Sequence, residues 1–216
     1  MAAVPIKPQY GPTLGRLLAP RWRAASRPAR AAAIVAAVLV VGLALGAVLT
    51  LENAHYSHGG RVPFSFSYRG LYRVPAEGGE YVQVQRRGGD GELLDSFAVA
   101  PLRLPPYSGG LSGELPLYAT TLAQALARGD PGFTLRGAGK TRVNGVPAYN
   151  LLYTTVREGR RLFGRDVLLL PEKAGAREGV LIVMLASPSA KPKITTPSEL
   201  AGEGVLSRPL KSLSIG

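Results

Sequence analysis

Residues 141–154 read TRVNGVPAYNLLYT, and this stretch decides the fold class. Asn144-Gly145 lies between two runs in which apolar and polar residues alternate. That dipeptide favours the positive-φ turn whose twist matches two antiparallel strands, so a β-hairpin is predicted. Working outward, residues 133–143 and 147–156 are its arms. Glu158-Gly159 makes a second tight turn into a strand over 161–170. The loop PEKAGAREG then leads to VLIVMLA at 180–186, a continuous apolar run that predicts a fully buried strand. These four segments form an antiparallel meander.

Upstream, Phe64, Phe66 and Tyr68 alternate with Pro63, Ser65 and Ser67, which predicts a strand over 62–68, with 71–74 as the next. Residues 81–87 (YVQVQRR) place Val82 and Val84 on one side. RRGGDGE at 86–92 is a turn, and 93–100 is a strand ended by the Pro-rich stretch PLRLPPYSGG. Leu115, Tyr118, Leu122, Ala125 and Leu126 recur at spacings of three and four, so this segment is a helix, with Gly129 at its C-terminal cap and Pro131 beyond. Near the end, Thr196-Pro197-Ser198-Glu199 has the form of a capping box, Gly202 and Gly204 argue against a long helix, and residues 209–213 form a short amphipathic tail against the sheet. The predicted fold class is α+β: a mainly antiparallel sheet with flanking helices, preceded by one transmembrane helix.

The chain has 216 residues, 46% of them apolar and 19% charged, which is compatible with a packed domain plus an appended segment. It has no cysteine, which excludes disulfides, Cys-ligated metals and thiol nucleophiles. The net charge of +12 is unevenly spread: six basic residues and no acid precede residue 52. From residue 52 on there are 20 basic and 14 acidic residues, so the whole-chain excess is poor support for nucleic-acid binding.

Residues 31–51, AAAIVAAVLVVGLALGAVLTL, carry no charge over 21 positions. As a helix they would span roughly 31 Å, about one hydrocarbon core. A cleaved signal peptide should have a shorter apolar stretch after a shorter basic segment, and no small-x-small cleavage site follows here. A buried soluble helix fits less well, because no face is polar. Arg21, Arg23, Arg27 and Arg30 precede the span, whereas Glu52 and Asn53 follow it, so the N-terminus is expected in the cytoplasm and the rest outside. Gly42 and Gly46 form a G-x-x-x-G pair suited to homodimeric helix packing, although glycine is also common in such helices. The expected organisation is a disordered basic cytoplasmic tail at 1–30, a transmembrane helix at 31–51, a linker at 52–61 and an extracytoplasmic α+β domain at 62–216.

The FSFSY strand, the hairpin TRVNGVPAYNLLYT, the segment GRDVLLLPEKAGAREGVLIVMLAS and the closing PLKSLSI together resemble the Mog1/PsbP-like α/β/α sandwich. The resemblance is to the version found in actinobacterial membrane-anchored envelope relatives. It covers roughly residues 62–215 and rests on Asn144-Gly145-x-Pro147-Ala148-Tyr149, the Gly164-Arg165 step, Gly179 and Lys211-Ser212-Leu213. It implies a binding or accessory role with no shared catalytic constellation, and no functional residue is transferred from it.

Candidate sites are few. His55 and His58, spaced i, i+3, would need further ligands to hold a metal, and solvated side chains are the simpler reading, so no metal and no cofactor is expected. Ser96, Ser112, Ser187 and Ser189 lack a G-x-S-x-G elbow, and no enzyme is expected. The loop at 88–92 lacks the ligand spacing of an EF-hand. Arg86, Arg87, Arg157, Arg160, Arg161 and Arg165 lie at or near two hairpin ends. They could hold an acidic partner or an anionic envelope polymer, but charged tips that keep sheets soluble are the simpler reading. The expected function is a single-pass, membrane-anchored extracytoplasmic binding protein engaging an envelope protein. Its rivals are a carrier or sensor of a lipid or other envelope ligand, which needs an enclosed apolar pocket, and an envelope hydrolase, which needs converging polar side chains. Nucleic acid is not an expected partner, because it lies in the wrong compartment.

Overall fold

The structure, a computed structural model, describes residues 53–76, 78–106, 111–173, 175–190 and 194–216, together with 26, 35–36 and 38–40. The chain divides into two units, Met1–Glu52 and Asn53–Gly216. In the first, residues 35–36 and 38–40 are helical, and Val35, Val38, Leu39 and Val40 are exposed. Among the described residues no helix is long and apolar enough to cross a membrane. The predicted span 31–51 otherwise lies outside the described residues, as do Gly42, Gly46 and all of the tail 1–30 except residue 26.

The second unit is mainly antiparallel sheet. Its elements in order are β1 (Ala54–His58), β2 (Phe64–Tyr68), β3 (Tyr72–Val74), β4 (Val82–Arg87), β5 (Leu93–Arg103), α1 (Leu111–Gly129), β6 (Thr134–Val143), β7 (Val146–Arg157), β8 (Arg160–Leu169), β9 (Glu178–Ala186), α2 (Ser207–Lys211) and β10 (Ser214–Ile215). Seven strands form one sheet in the order β3-β4-β5-β9-β8-β7-β6, and β1-β2-β10 form a second. The meander expected from the sequence is the β6-to-β9 half of the large sheet, each strand paired antiparallel with the next.

Alternation along the strands sorts side chains onto two faces. Val180, Ile182 and Met184 of β9, with Val167 and Leu169 of β8, join Phe64, Phe66, Leu206 and Leu213 in one apolar cluster. Leu151 of β7 and Leu168 of β8 point the other way and pack with Leu115, Ala119 and Ala123 of α1. One face of the large sheet is therefore covered by α1. The other is covered by the small sheet and the C-terminal segment carrying α2, so a helix is only part of that layer.

Several expectations need correction. The linker expected at 52–61 contains β1, because Tyr56 and His58 lie on Phe64, Phe66 and Tyr81 while His55 and Ser57 alternate outward. β5 runs on through Pro101, whose missing N–H is tolerated because β4 pairs with β5 only as far as Val99. β9 is not buried on both faces: Leu181, Val183 and Leu185 are half-buried.

The Asn144-Gly145 turn has φ of 51° and 90°, as the primed hairpin turn requires. Asn144 also ties down the C-terminus: its Nδ2 donates to the carbonyls of Leu210 (3.3 Å) and Leu213 (2.5 Å). In β8, a Cβ on Gly164 would lie 2.1 Å from the Tyr153 ring, so only glycine lets that ring lie against the strand.

Two substitutions test this frame. Asn144→Gly keeps the turn but removes both tail contacts, and is expected to lower unfolding free energy by about 1–2 kcal/mol in chemical denaturation. Gly164→Ala drives a methyl into the Tyr153 ring, and is expected to cost about 2–3 kcal/mol in the same measurement.

Candidate functional site

The six arginines singled out from the sequence meet mainly their own acids. At one end of the large sheet the tips of the β4–β5 and β7–β8 hairpins are cross-linked: Arg87 lies 3.5 Å from Glu158, Arg160 lies 2.9 Å from Asp90, and Arg160 also pairs with Glu92. Arg86 donates through Nε (2.9 Å) and Nη2 (2.5 Å) to the buried Asp95. Arg157 lies 3.9 Å from Asp130. Arg165 donates to the Leu200 carbonyl at 2.9 Å, and partial burial lowers its pKa. Arg161 is exposed, beside a recess of about 550 Å³ that also includes Ser187, Ser189 and Thr195. Arg86, Arg87, Arg157 and Arg160 are thus charge-compensated, while Arg161 has no acidic partner among the described residues.

A concavity lies along α1, on the flank facing β6. The helix is fixed at both ends. In its first turn the buried Glu114 accepts from Arg177 Nη1 at 2.7 Å, and the same nitrogen donates to the Pro105 carbonyl at 2.8 Å. Just past its C-terminus, Asp130 accepts the Gly132 N–H at 2.9 Å and the hydroxyl of the buried Thr155. Between these fixed points Leu115, Ala119 and Ala123 pack inward. Pro116, Thr120, Gln124 and Ala127 are left overlooking the outer strands.

The result is a groove of two adjoining recesses, about 570 Å³ and about 460 Å³, sharing Pro116 and Tyr149. Its lining is mostly apolar: Leu135 and Ala138 come from β6, and Tyr149 and Leu151 from β7. Basic side chains collect at the end nearest the start of α1, namely Lys140, Arg142 and Lys173, with Glu172 the one acid in that recess. Neither Lys140 nor Arg142 is paired with an acid among the described residues. Arg142 Nη1 donates to the Gly145 carbonyl at 3.0 Å.

Beneath the same face lies a buried pair. The Tyr153 hydroxyl donates to Asp166 Oδ1 at 2.9 Å. Burial pushes the Asp166 carboxyl up to about 7, against a smaller opposing effect of that hydrogen bond. Burial, then the nearby Asp166 charge, raises Tyr153 well above the usual tyrosine value. Neither residue lines the groove.

The remaining candidates do not converge on a reacting centre. His55 Nδ1 lies 3.2 Å from Ser67 Oγ, and His58 packs on the rings of Phe64 and Tyr81. Ser187 and Ser189 share a hydroxyl–hydroxyl contact of 2.6 Å, Ser96 accepts from Gln83, and the Ser112 side chain lies outside the described residues. No group of three His, Cys, Asp or Glu among the described residues is placed to hold a metal. Sequence reasoning pointed at the arginine runs and missed the groove. Its only linear signals are the small residues Ala119, Ala123 and Ala127 on α1 and the acid-free basic strand β6.

No protein-family model matches the chain, and no curated protein sequence matches it. Solved structures do. LpqN, described as involved in cell envelope biogenesis of Mycobacterium tuberculosis, is similar at 10% identity and a TM-score of 0.51, over 75% of this chain and 90% of that one. The cyanobacterial PsbP of Synechocystis sp. PCC 6803 aligns at 17% identity and a TM-score of 0.48, over 76% and 92%. The likeness to LpqN shows a shared fold, a mainly antiparallel sheet with flanking layers, in line with the fold expected from the sequence.

The buried carboxyl gives stability a pH dependence. Asp166 ionises near the ordinary 3.8 when unfolded and at about 7 when folded, so the native state holds the extra proton between those values. Stability should therefore fall as pH rises from about 4 to about 7, by up to about 1.4 kcal/mol per unit. Unfolding titrations across this range should show that decline in the native chain and a flatter profile in Asp166→Asn.

Proposed function

We propose that this protein is a membrane-anchored, extracytoplasmic binding module of the cell envelope, without catalytic activity, and that it holds a protein partner at the α1–β6 groove. The observation that carries this reading is the groove itself. It is apolar along its length and basic at one end, which suits binding an apolar, acidic segment. The anchor is residues 31–51, and the positive-inside pattern of the arginines before it supports a cytoplasmic N-terminus. The fold likeness to LpqN, a protein of envelope biogenesis, supports the location. Tethering raises the effective concentration of the domain toward other membrane-bound partners. Gly42 and Gly46 offer a contact for a second copy within the membrane.

A second reading has its own support. An apolar trough ending in Lys140, Arg142 and Lys173 also suits a lipid with an anionic headgroup. The groove lies open along α1 rather than closing into the sealed pocket a carrier uses, which favours the protein partner.

The test is a mild-detergent pull-down of the full-length chain from native membranes, with mass spectrometry of both proteins and lipids. A stoichiometric protein is expected, lost on Thr120→Trp or Gln124→Trp, which fill the groove, and retained on Arg160→Glu with Arg161→Glu. Loss on the arginine reversal alone would move the site to the hairpin ends. A single enriched lipid class with no protein would replace the adaptor by the carrier.

A further inference from the structure

Strand β6 is an outer edge of the seven-stranded sheet, ten residues long, and among the described residues no strand pairs with its far side. Such an edge is a row of unpaired N–H and C=O groups. The hairpin turn tells which residues carry them. Val143 and Val146 flank a two-residue turn and so form a hydrogen-bonded pair, and such pairs recur at every second position. Thr141 and Gly139 therefore direct their backbone groups at β7. Arg142, Lys140 and Ala138 direct theirs outward.

The side chains of those same three residues stand on the α1 face. Their partners across the ladder include Tyr149 and Leu151, which line the groove. A strand laid along β6 would thus meet free backbone groups at its edge and the flank of α1 on one face. Its alternate side chains would enter the groove. This is the geometry of strand addition between a sheet edge and a helix.

Charge restricts the occupant. Thr134–Val143 carries Arg136, Lys140 and Arg142 and no acid, and none of the three is ion-paired among the described residues. Two copies of β6 laid edge to edge would set like charges opposite one another, so the charge disfavours a second copy of this chain as occupant and favours an acidic strand. The groove is also polarised along its length. Leu135 and Ala138 lie toward one end, and Lys140 and Arg142, joined by Lys173, toward the other.

We propose, building on the reading of the groove as a protein-binding site, that β6 takes up an extended peptide segment of the partner as an eighth strand. The segment carries apolar side chains at alternate positions against Ala138 and the α1 flank. It carries Asp or Glu where it passes Lys140 and Arg142.

The test uses the full-length protein in nanodiscs of neutral lipid and a displayed library of random twelve-residue peptides. Enriched peptides are expected to alternate apolar residues and to carry acids at one end. Their binding should fall tenfold or more in two variants. Ala138→Pro removes one outward N–H while keeping an apolar side chain and every bond to β7, and its thermal midpoint reports whether it folds. Lys140→Glu with Arg142→Glu reverses the charge and leaves the backbone intact. Hydrogen exchange should show peptide-dependent protection of the Ala138, Lys140 and Arg142 amides. Peptides that bind a folded Ala138→Pro variant as tightly as the native chain, protection confined to α1, or a library yielding only basic peptides or none would each overturn strand addition. A native protein partner recovered equally by Ala138→Pro and lost on Thr120→Trp would overturn it too, yet leave the groove as the partner's site. Enrichment of a lipid alone in the pull-down would remove both.

Discussion

The arrangement of this domain turns on how α1 is held. Glu114 is buried, and a buried carboxylate without a cation would be costly; Arg177 supplies one from the loop before β9. Asp130 fixes the other end through Thr155 of β7. With its ends set, the helix lies where Leu115, Ala119 and Ala123 meet Leu151 and Leu168, packed mainly on β7 with its flank beside β6. The groove is the consequence.

Much of the fold is legible in the chain because turns and periodicity are local. Asn144-Gly145 and Glu158-Gly159 take positive φ where the sequence says they should, and the strands between them follow. The capping box at Thr196 is likewise local: the Glu199 carboxylate accepts the N–H of Thr195 at 2.7 Å, which holds its pKa below the usual carboxylate range. Gly164 carried the family resemblance without an evident reason, and the reason is the Tyr153 ring lying against it. β1 was not legible, because its apolar positions are only Ala54, Tyr56 and His58, and what stabilises them is the aromatic surface of β2 and Tyr81. The groove was illegible for a deeper reason: it is a space between elements, fixed by an ion pair that joins residues 63 positions apart and a hydrogen bond that joins residues 25 apart.

The charges show why runs of one residue type mislead. Arg86-Arg87 and Arg160-Arg161 stand out in the sequence, but Asp95 meets Arg86 across its own ladder, and Glu158 and Asp90 reach Arg87 and Arg160 from the opposite hairpin tip. These tips hold their sheet end together more than they project a field. The three cations of β6 are spaced out, attract no notice as a cluster, and form no ion pair among the described residues.

The two edges of the large sheet meet the same hazard by different means. β3 is three residues long, too short to template another strand stably. β6 is ten residues long, contains no proline and carries two glycines, so length and composition give it little protection. Its irregularity, a bulge between Leu135 and Gly137, lies at the end away from the hairpin turn and leaves the stretch from Ala138 to Val143 regular. What guards that stretch is charge of one sign, and such a guard is selective. It repels a like or uncharged apolar strand, which would leave the ammonium and guanidinium groups partly desolvated without compensation, and it attracts an acidic one. An edge closed to most strands and open to one chemistry is what a binding surface requires.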